Sequence, residues 1–318
     1  MLRYGLSLLT LDMMDSIPAH LLAPRHWLTW LGLGLLRLVE RLPFAMILRT
    51  GRALGRAVYR LPLRYRRIAR TNIALCLPEL SAVEQEKYIK AHFENLGISL
   101  FESAITWWSS DARINGLSEI VGIEHLQTAL AKGRGVILLT AHFTTLSIGA
   151  RILNNRIPID PLYRPLKNPL LAFISGSSFR RNAKLAIKHD DIRGMIAALR
   201  RNEIVWYATD QSYRKKGAEM VPFFGVPCAT NVFTPRLSAM TGATVLYYSS
   251  ERLPGTRGWR GVIEAAFPDW PSADPIADTQ QYHARVEAQV RAMPDQYWWI
   301  HRRFKGLSPT DPDYYRAS

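Results

Sequence analysis

The segment that most constrains the fold of this chain runs from Gly135 to Gly149. Its first half, Val136–Thr140, is an uninterrupted run of aliphatic and β-branched residues, which predicts a buried strand. Thr144 and Thr145 are good helix N-caps, and the residues after them predict a helix. His142 therefore falls in a strand-to-helix turn, at the sheet edge where open α/β folds bind ligands. A helix N-terminus at that edge also offers free N–H groups to an anionic ligand.

The same alternation of strands and helices continues through most of the chain. Apolar runs bounded by turn residues predict strands, and longer amphipathic segments with capping residues predict helices. The predicted strands are 136–140, 159–163, 183–187, 204–208, 243–248 and 263–267. The predicted helices are 80–108, 123–132, 146–153, 168–179, 190–201, 234–240 and 278–292. We therefore expect an α/β fold with a largely parallel central sheet flanked by helices.

The most lipid-like segment of the chain is Trp27–Leu36. A helix that spans a bilayer needs about 20 predominantly apolar residues, and charged residues interrupt this segment from Arg37 onward. We expect a helix that lies in the membrane face, with a full span and an ordinary buried helix as alternatives. The chain is thus divided into a membrane-associated helical segment, residues 1–80, and an α/β domain, residues 81–318. The short apolar run Leu6–Leu11 lacks the cleavage site of a signal peptide.

The chain is strongly basic, with a formal net charge of +15 and a pI near 10.1. Nucleic acid, an anionic membrane surface, and an acidic protein or phosphorylated substrate are the partners that such a charge favours. Eight arginines occur between Arg49 and Arg70 with no acid among them, and the first four are spaced to form one basic stripe on a helix. No RNA-recognition or zinc-finger pattern accompanies them, so we expect no nucleic acid as a partner.

Two bulk properties exclude other classes of protein. Hydrophobic residues make up 48% of the 318 residues and the mean hydropathy is −0.07, so a large core can form and disorder is not expected. The two cysteines, Cys76 and Cys228, form no C-x-x-C pattern. This argues against a disulfide scaffold or a cysteine-bound zinc site, and it fits a reducing compartment.

Several sequence blocks, in one order along the chain, resemble a known family. They are His142 with Ser147, Tyr163-Arg164 with Asn168, Asp210-Gln211 with Arg214, the Pro-Phe-Phe-Gly segment 221–230, and Pro294–Lys305; an R-R-x-x-x-x-N segment at 66–73 precedes them. The set resembles the bacterial lipid A secondary acyltransferases of the lauroyl/myristoyl type, within the lysophospholipid acyltransferase superfamily. The last block, P-D-Q-Y-W-W-I-H-R-R-F-K, is too long and too aromatic to match by chance.

The resemblance implies an O-acyltransferase that moves a fatty acyl chain from acyl carrier protein to a hydroxyl of a lipid A precursor, in lipopolysaccharide biosynthesis. His142 would remove the hydroxyl proton, and residues 81–318 would be the acyltransferase domain. The residues implied to bind substrate are Arg164, which would meet a phosphate, and Asn168, Asp210, Gln211 and Arg214. The resemblance implies no metal and no organic cofactor, the acyl carrier protein thioester being a co-substrate. It places the protein at the cytoplasmic face of the bacterial inner membrane, with the membrane surface and an anionic lipid as partners.

One position departs from the family pattern H-x-x-x-x-[DE]. The acid falls five residues after the histidine, and that position here is Ser147, which can form a hydrogen bond but carries no charge. Three explanations compete: an inactivated variant, a divergent member that recruits another acid, or a protein that has lost catalysis. Asp210, at the end of a predicted strand, could orient a substrate or replace the missing acid electrostatically; it could also only cap a helix or form a salt bridge to the lysines that follow.

Two other functions stay open at this point. A serine hydrolase would need G-x-S-x-G around Ser147, and Thr145 stands in place of the first glycine. The chain could also acylate another lysolipid, such as a phospholipid or an aminolipid, or bind lipid without catalysis.

Overall fold

The computed structural model describes residues 17–61, 64–164, 166–182 and 186–316, without the side chains of residues 179–182. The helices are α1 Trp27–Glu40, α2 Phe44–Arg60, α3 Arg64–Cys76, α4 Ala82–Trp108, α5 Asp111–Gly116, α6 Ile123–Leu130, α7 Leu146–Asn154, α8 Pro169–Asn182, α9 Ile192–Arg200, α10 Phe233–Thr241 and α11 Pro275–Ala292. The strands are β1 Ser118–Val121, β2 Val136–Thr140, β3 Asp160–Tyr163, β4 Ile187–Lys188, β5 Ile204–Ala208, β6 Ala218–Phe223, β7 Val226–Asn231, β8 Thr244–Arg252 and β9 Trp259–Ile263.

The central sheet has the strand order β1-β9-β8-β2-β5-β3-β4. The neighbouring pairs from β8 through β2, β5 and β3 to β4 are all parallel, while β9 runs antiparallel to β8 and β1 runs parallel to β9. β2 lies at the centre and all five of its residues are buried, as expected for a strand covered on both faces. The prediction of an α/β fold with a largely parallel sheet is confirmed.

Four strands differ from the prediction. The strand expected at 263–267 is wrong, because β9 ends at Ile263, and the preceding Arg260 and Gly261 interrupt the apolar pattern that would have marked it. β1 was not predicted, and neither was the β6–β7 hairpin. In that hairpin the turn residues Phe224 and Gly225 have φ of 52° and 73°, as a tight two-residue turn requires. Residues 183–185 of the predicted strand 183–187 lie outside the described residues, as does Leu6–Leu11.

The long helix α4 connects the N-terminal helices to the sheet. It contacts α1, α2 and α3 and also α7 and α8. α2 approaches it closely because Gly51 and Gly55 face Gly97, where an added Cβ on Gly97 would lie 2.1 Å from the Gly51 carbonyl oxygen. The three glycines therefore let two helix backbones lie nearly in contact.

Helix α1 leaves a row of leucines uncovered. Leu28, Leu31, Leu35 and Leu38 are 56–82% exposed and recur at helical spacing, so they form one apolar face. Among the described helices, none is both long enough and apolar enough to cross a bilayer.

The run of eight arginines from Arg49 to Arg70 is partly neutralised in the structure. Arg56 lies 3.0 Å from Glu94, and Arg70 lies 3.0 Å from Glu86, both acids belonging to α4. The run also divides between two helices, because α2 ends at Arg60 and α3 begins at Arg64. These ion pairs could not be predicted from neighbouring residues, because the acids follow the arginines by 16 residues or more.

Candidate active site

Two side chains meet at the carboxyl edge of the sheet because their strands are neighbours in register. In the parallel pair β2 and β5, Thr140 is aligned with Ala208. His142 and Asp210 each follow two residues later, so the two leave the sheet side by side. Parallel strands end at the same edge, and that edge is where α/β folds place ligands.

His142 and Asp210 form a hydrogen-bonded pair. The distance from His142 Nδ1 to Asp210 Oδ1 is 2.6 Å, and the backbone N–H of His142 donates to Asp210 Oδ2 at 3.1 Å. Tyr297 adds a third bond, its hydroxyl donating to the same Oδ2 at 3.0 Å. Burial by itself would raise the pKa of Asp210, but the attraction of His142 and these hydrogen bonds lower that pKa to about 2.

An ionised Asp210 sets the tautomer of the imidazole. A carboxylate only accepts hydrogen bonds, so Nδ1 of His142 carries the proton and Nε2 keeps its lone pair. The Asp210 side chain is 1% exposed and that of His142 is 26% exposed, so the acid is sealed behind a base that remains accessible. A buried carboxylate behind an accessible imidazole is the arrangement that makes histidine a general base for an alcohol.

A cavity opens beside this pair. Its lining residues are Asn72, Cys76, His142, Asp210, Gln211, Phe223, Tyr297, Trp298, Trp299, His301, Arg303 and Phe304. Two of them are histidines, and they differ in availability. Nε2 of His301 accepts a hydrogen bond from the Ser212 backbone N–H at 3.1 Å, and burial lowers the pKa of His301 to about 4. Nε2 of His142 has no hydrogen-bond partner among the described residues, so His142 is the available base.

The C-terminal block Pro294–Lys305 closes over the His142 turn. The backbone N–H of Trp298 donates to the carbonyl of His142 at 2.9 Å, and that of Thr144 donates to Gln296 at 2.8 Å. The ring of Tyr297 lies edge-on to Phe143, with centroids 5.2 Å apart. The block therefore holds the His142 backbone in place while Tyr297 binds the acid.

Buried polar side chains hold the block itself. Asn72 of α3 donates to the carbonyls of Trp299 and His301 at 2.6 and 2.7 Å. Arg303 donates to the Ala229 carbonyl at 3.1 Å and to the Thr230 hydroxyl at 2.8 Å. The R-R-x-x-x-x-N segment thus contributes Asn72 as a structural support for the block.

The structure gives the predicted site residues different positions. Ser147 is exposed in the first turn of α7 and forms no hydrogen bond with His142 in the described part of the chain. Thr145 occupies the N-cap of α7 as expected, but its hydroxyl does not cap the helix and instead donates to the Ser250 carbonyl at 2.8 Å. Gln211 lines the cavity directly after Asp210.

Arg164 and Asn168 lie outside this cavity lining. Arg164 is exposed after β3. Asn168 caps α8, its Oδ1 accepting from Leu170 N at 2.9 Å, and its Nδ2 donates to Thr29 Oγ1 of α1 at 3.2 Å. Arg214 is exposed in the loop between β5 and β6.

Sequence reasoning missed two residues that build the site. Tyr282 of α11 bridges the two strand ends, donating to the Thr140 carbonyl at 2.8 Å and accepting from Thr209 N at 3.4 Å. Nothing in its local sequence marks it, since it occupies a core position of an amphipathic helix. Tyr297 stood inside the matched C-terminal block, which was the one available signal, but no role had been assigned to it.

The chain is similar to known proteins over most of its length. A family model described as bacterial lipid A biosynthesis acyltransferase matches residues 15–306. The chain is 36% identical over 296 residues to the lipid A biosynthesis lauroyltransferase of Escherichia coli (strain K12), covering 93% of this chain and 97% of the relative. It is 35% identical over 285 residues to the palmitoleoyltransferase of that strain, covering 89% and 93%. A lipid A biosynthesis acyltransferase of Haemophilus influenzae is 34% identical over 306 residues, with 95% and 96% covered.

Proposed function

Because this chain belongs to the family of bacterial lipid A biosynthesis acyltransferases, we propose that it transfers a fatty acyl chain from an acyl carrier protein thioester to a hydroxyl of a lipid A precursor. The observation that carries the proposal is the 2.6 Å bond between His142 Nδ1 and the buried Asp210. In this proposal Asp210 does the work that the family assigns to the acid at the position of Ser147.

The reaction follows from the free Nε2 of His142. Nε2 takes the proton from the acceptor hydroxyl while that oxygen attacks the thioester carbonyl carbon. Asp210 stabilises the imidazolium that forms, because its charge lies against Nδ1–H. The tetrahedral intermediate then expels the thiolate, which takes the proton from His142 Nε2 to give the free thiol and the ester. These steps call for no metal and no organic cofactor.

The partners and the location are part of the same proposal. The net charge of +15 suits an acidic carrier protein, a phosphorylated lipid and an anionic leaflet. The exposed leucine face of α1 suits insertion into the headgroup region. Both features support a position at the cytoplasmic face of the bacterial inner membrane.

Transfer assays with purified protein test the proposal. With an acyl carrier protein thioester and the precursor lipid, His142→Ala should abolish ester formation, because Nε2 of His301, the other histidine of the cavity lining, is occupied by the Ser212 N–H. The matched variant Ser147→Ala should keep within about threefold of the wild-type rate, since its hydroxyl is exposed and forms no hydrogen bond with any described residue.

Three outcomes would point elsewhere. Release of free fatty acid that Ser147→Ala abolishes would indicate a hydrolase. Binding of the precursor without turnover in the wild-type chain would indicate a silent lipid-binding protein. Transfer to another lysolipid alone would move the substrate away from lipid A.

A further inference from the structure

Four cationic side chains lie close to one another near the active site. Arg64 begins α3, Arg214 lies in the loop after β5, and Arg302 and Lys305 belong to the C-terminal block. Among the described residues, none of the four forms an ion pair, whereas Arg70, on the same helix as Arg64, pairs with Glu86.

Backbone contacts bring these segments together. Ala229 accepts from Tyr213 N at 3.1 Å and donates to the Lys305 carbonyl at 2.8 Å, so the Arg214 loop and the end of the block lie against the same residue. The guanidinium of Arg302 lies 5.4 Å from the ring centroid of Tyr315. The Tyr315 hydroxyl donates to Asn72 Oδ1 at 2.5 Å, which joins this corner to α3.

The charges act on one another. Partial burial lowers the pKa of Lys305, and the neighbouring charges of Arg214, Arg302 and Arg64 lower that pKa further. The acid that opposes them is Asp313, which also lies 3.5 Å from Arg316. Like charges held together in a fold repel one another, and a bound anion would relieve that repulsion.

We propose that Arg64, Arg214, Arg302 and Lys305 form a binding site for a phosphate ester of a substrate. Arg214 follows Asp210 by four residues, so the two α-carbons are at most about 14 Å apart. A phosphate held by this cluster would therefore anchor a substrate whose reactive group reaches His142. The inference rests on the proposed function for the identity of that substrate. Two sources share this chemistry, namely a phosphate on the acceptor lipid and the phosphodiester of the prosthetic arm that carries the acyl thioester.

Kinetics with charge-removing variants test the cluster. Arg214→Gln and Lys305→Gln should each raise the KM for one of the two substrates about tenfold or more, because charge-assisted bonds to phosphate are strong. The value of kcat should change little, since neither side chain contacts the reacting atoms. Varying the lipid at fixed thioester, and the thioester at fixed lipid, shows which phosphate is bound.

The matched control is Arg200→Gln, which removes the same charge from an exposed position at the C-terminus of α9. α9 ends just before β5 begins, so Arg200 lies at the opposite edge of the sheet from Asp210. The control should leave both KM values within about twofold of wild type, because salt in the solution screens the exposed charge of Arg200 from the site. Equal effects of the control and the cluster variants, or no change in either KM, would overturn the proposal.

A binding measurement keeps this test independent of turnover. The measurement uses the His142→Ala variant, which binds substrates without turnover. Its affinity for the phosphorylated precursor in detergent micelles is compared with its affinity for the dephosphorylated form. Its affinity for the acyl carrier protein thioester is measured in parallel. Arg214→Gln should weaken binding of the phosphate-bearing ligand about tenfold and leave the dephosphorylated lipid unaffected. If wild-type protein transfers no acyl chain but this difference is found, the proposed function fails and the phosphate site stands. Equal binding of all ligands by Arg214→Gln and its parent would refute the site.

Discussion

At the residue scale, the position of one carboxylate distinguishes this site. A histidine that acts as a base needs a negative charge against its second nitrogen, and the carboxylate can come from the following helix or from a neighbouring strand. Here Asp210 approaches from β5, while Ser147 lies exposed on α7. Asp210 therefore supplies the negative charge beside His142, although the position where the family pattern places an acid is Ser147.

Asp210→Asn should reduce kcat by about 10³–10⁴-fold, as loss of the orienting carboxylate does in other histidine-based sites. An amide can present its NH₂ group to Nδ1 and favour the wrong tautomer. The fold should survive, since the side-chain volume is almost unchanged. Rate measurements on the purified variant, with circular dichroism as a check on folding, would decide it; activity near wild type would remove Asp210 from the mechanism.

Tyr297→Phe should have a smaller effect of the same kind. It deletes the hydroxyl bonded to Asp210 Oδ2 at 3.0 Å but keeps the ring against Phe143. Losing one hydrogen bond to a charged group predicts a decrease in kcat of about tenfold or more. An unchanged kcat would show that two bonds from His142 suffice to position the acid.

At the element scale, the contact between α2 and α4 depends on glycine. A Cβ at Gly97 would lie 2.1 Å from the Gly51 carbonyl oxygen and 2.6 Å from the Gly55 nitrogen. Backbone atoms cannot move aside as a flexible side chain can, so the two helices would have to separate.

Gly97→Ala should therefore lower the free energy of unfolding by at least about 1–3 kcal/mol, the usual cost of overpacking. Gly34→Ala on α1 is the matched control, because no heavy atom lies within 4 Å of its added Cβ. That control should be neutral or stabilise by up to about 1 kcal/mol. Urea unfolding of both variants measures the difference, and equal stabilities would contradict the close contact.

Helix α1 allows a second prediction at this scale. Leu28 and Leu31 are 82% and 62% exposed, so replacing both with glutamine removes apolar surface without disturbing the core. Partitioning onto vesicles that contain anionic phospholipid should fall about tenfold or more. Val83→Gln on α4, where the valine is 81% exposed, is the control and should partition like wild type. Unchanged partitioning of the double variant would remove α1 from the membrane contact.

At the scale of the whole molecule, stability should depend on pH through buried histidines. Burial lowers the pKa of His92 and His283 to about 3 and that of His301 to about 4. The unfolded chain protonates its histidines near pH 6.5, so it binds more protons than the fold below that pH. The stability from these groups is complete above about pH 6.5 and is lost as the pH falls toward 4 and 3. Asp210, with a pKa lowered to about 2, adds a loss only between about pH 4 and pH 2.

The free energy of unfolding should therefore fall by up to about 1.4 kcal/mol per pH unit for each of the three histidines below pH 6.5. His92→Gln removes one titrating group, so the slope of the unfolding free energy against pH should decrease by up to about 1.4 kcal/mol per pH unit. Denaturant unfolding at a series of pH values measures this slope. A stability independent of pH between about 6.5 and 4 would show that these histidines titrate alike in both states.

Much of this architecture could be predicted from local pattern. The strands 136–140 and 204–208 were predicted at their observed bounds. The α/β class followed from the alternation of strand-like and helix-like hydrophobic patterns along the chain. β1, β9 and the β6–β7 hairpin were not, since their short, mixed sequences become strands through pairing with neighbours. The periodicity of buried residues can be seen in neighbouring positions of the sequence, whereas the pairing of two strands depends on residues far apart in the chain.

The sequence by itself determined that His142 follows a buried strand and precedes a helix, and it marked Asp210 at the end of another strand. Only the tertiary structure decided that these two residues meet, because that requires β2 and β5 to be neighbours in register across 68 positions of chain. It likewise brought Tyr282 and Tyr297 to the same edge from α11 and the C-terminal block. Local patterns encode which face of an element is buried, whereas sheet order and helix packing decide which buried faces meet.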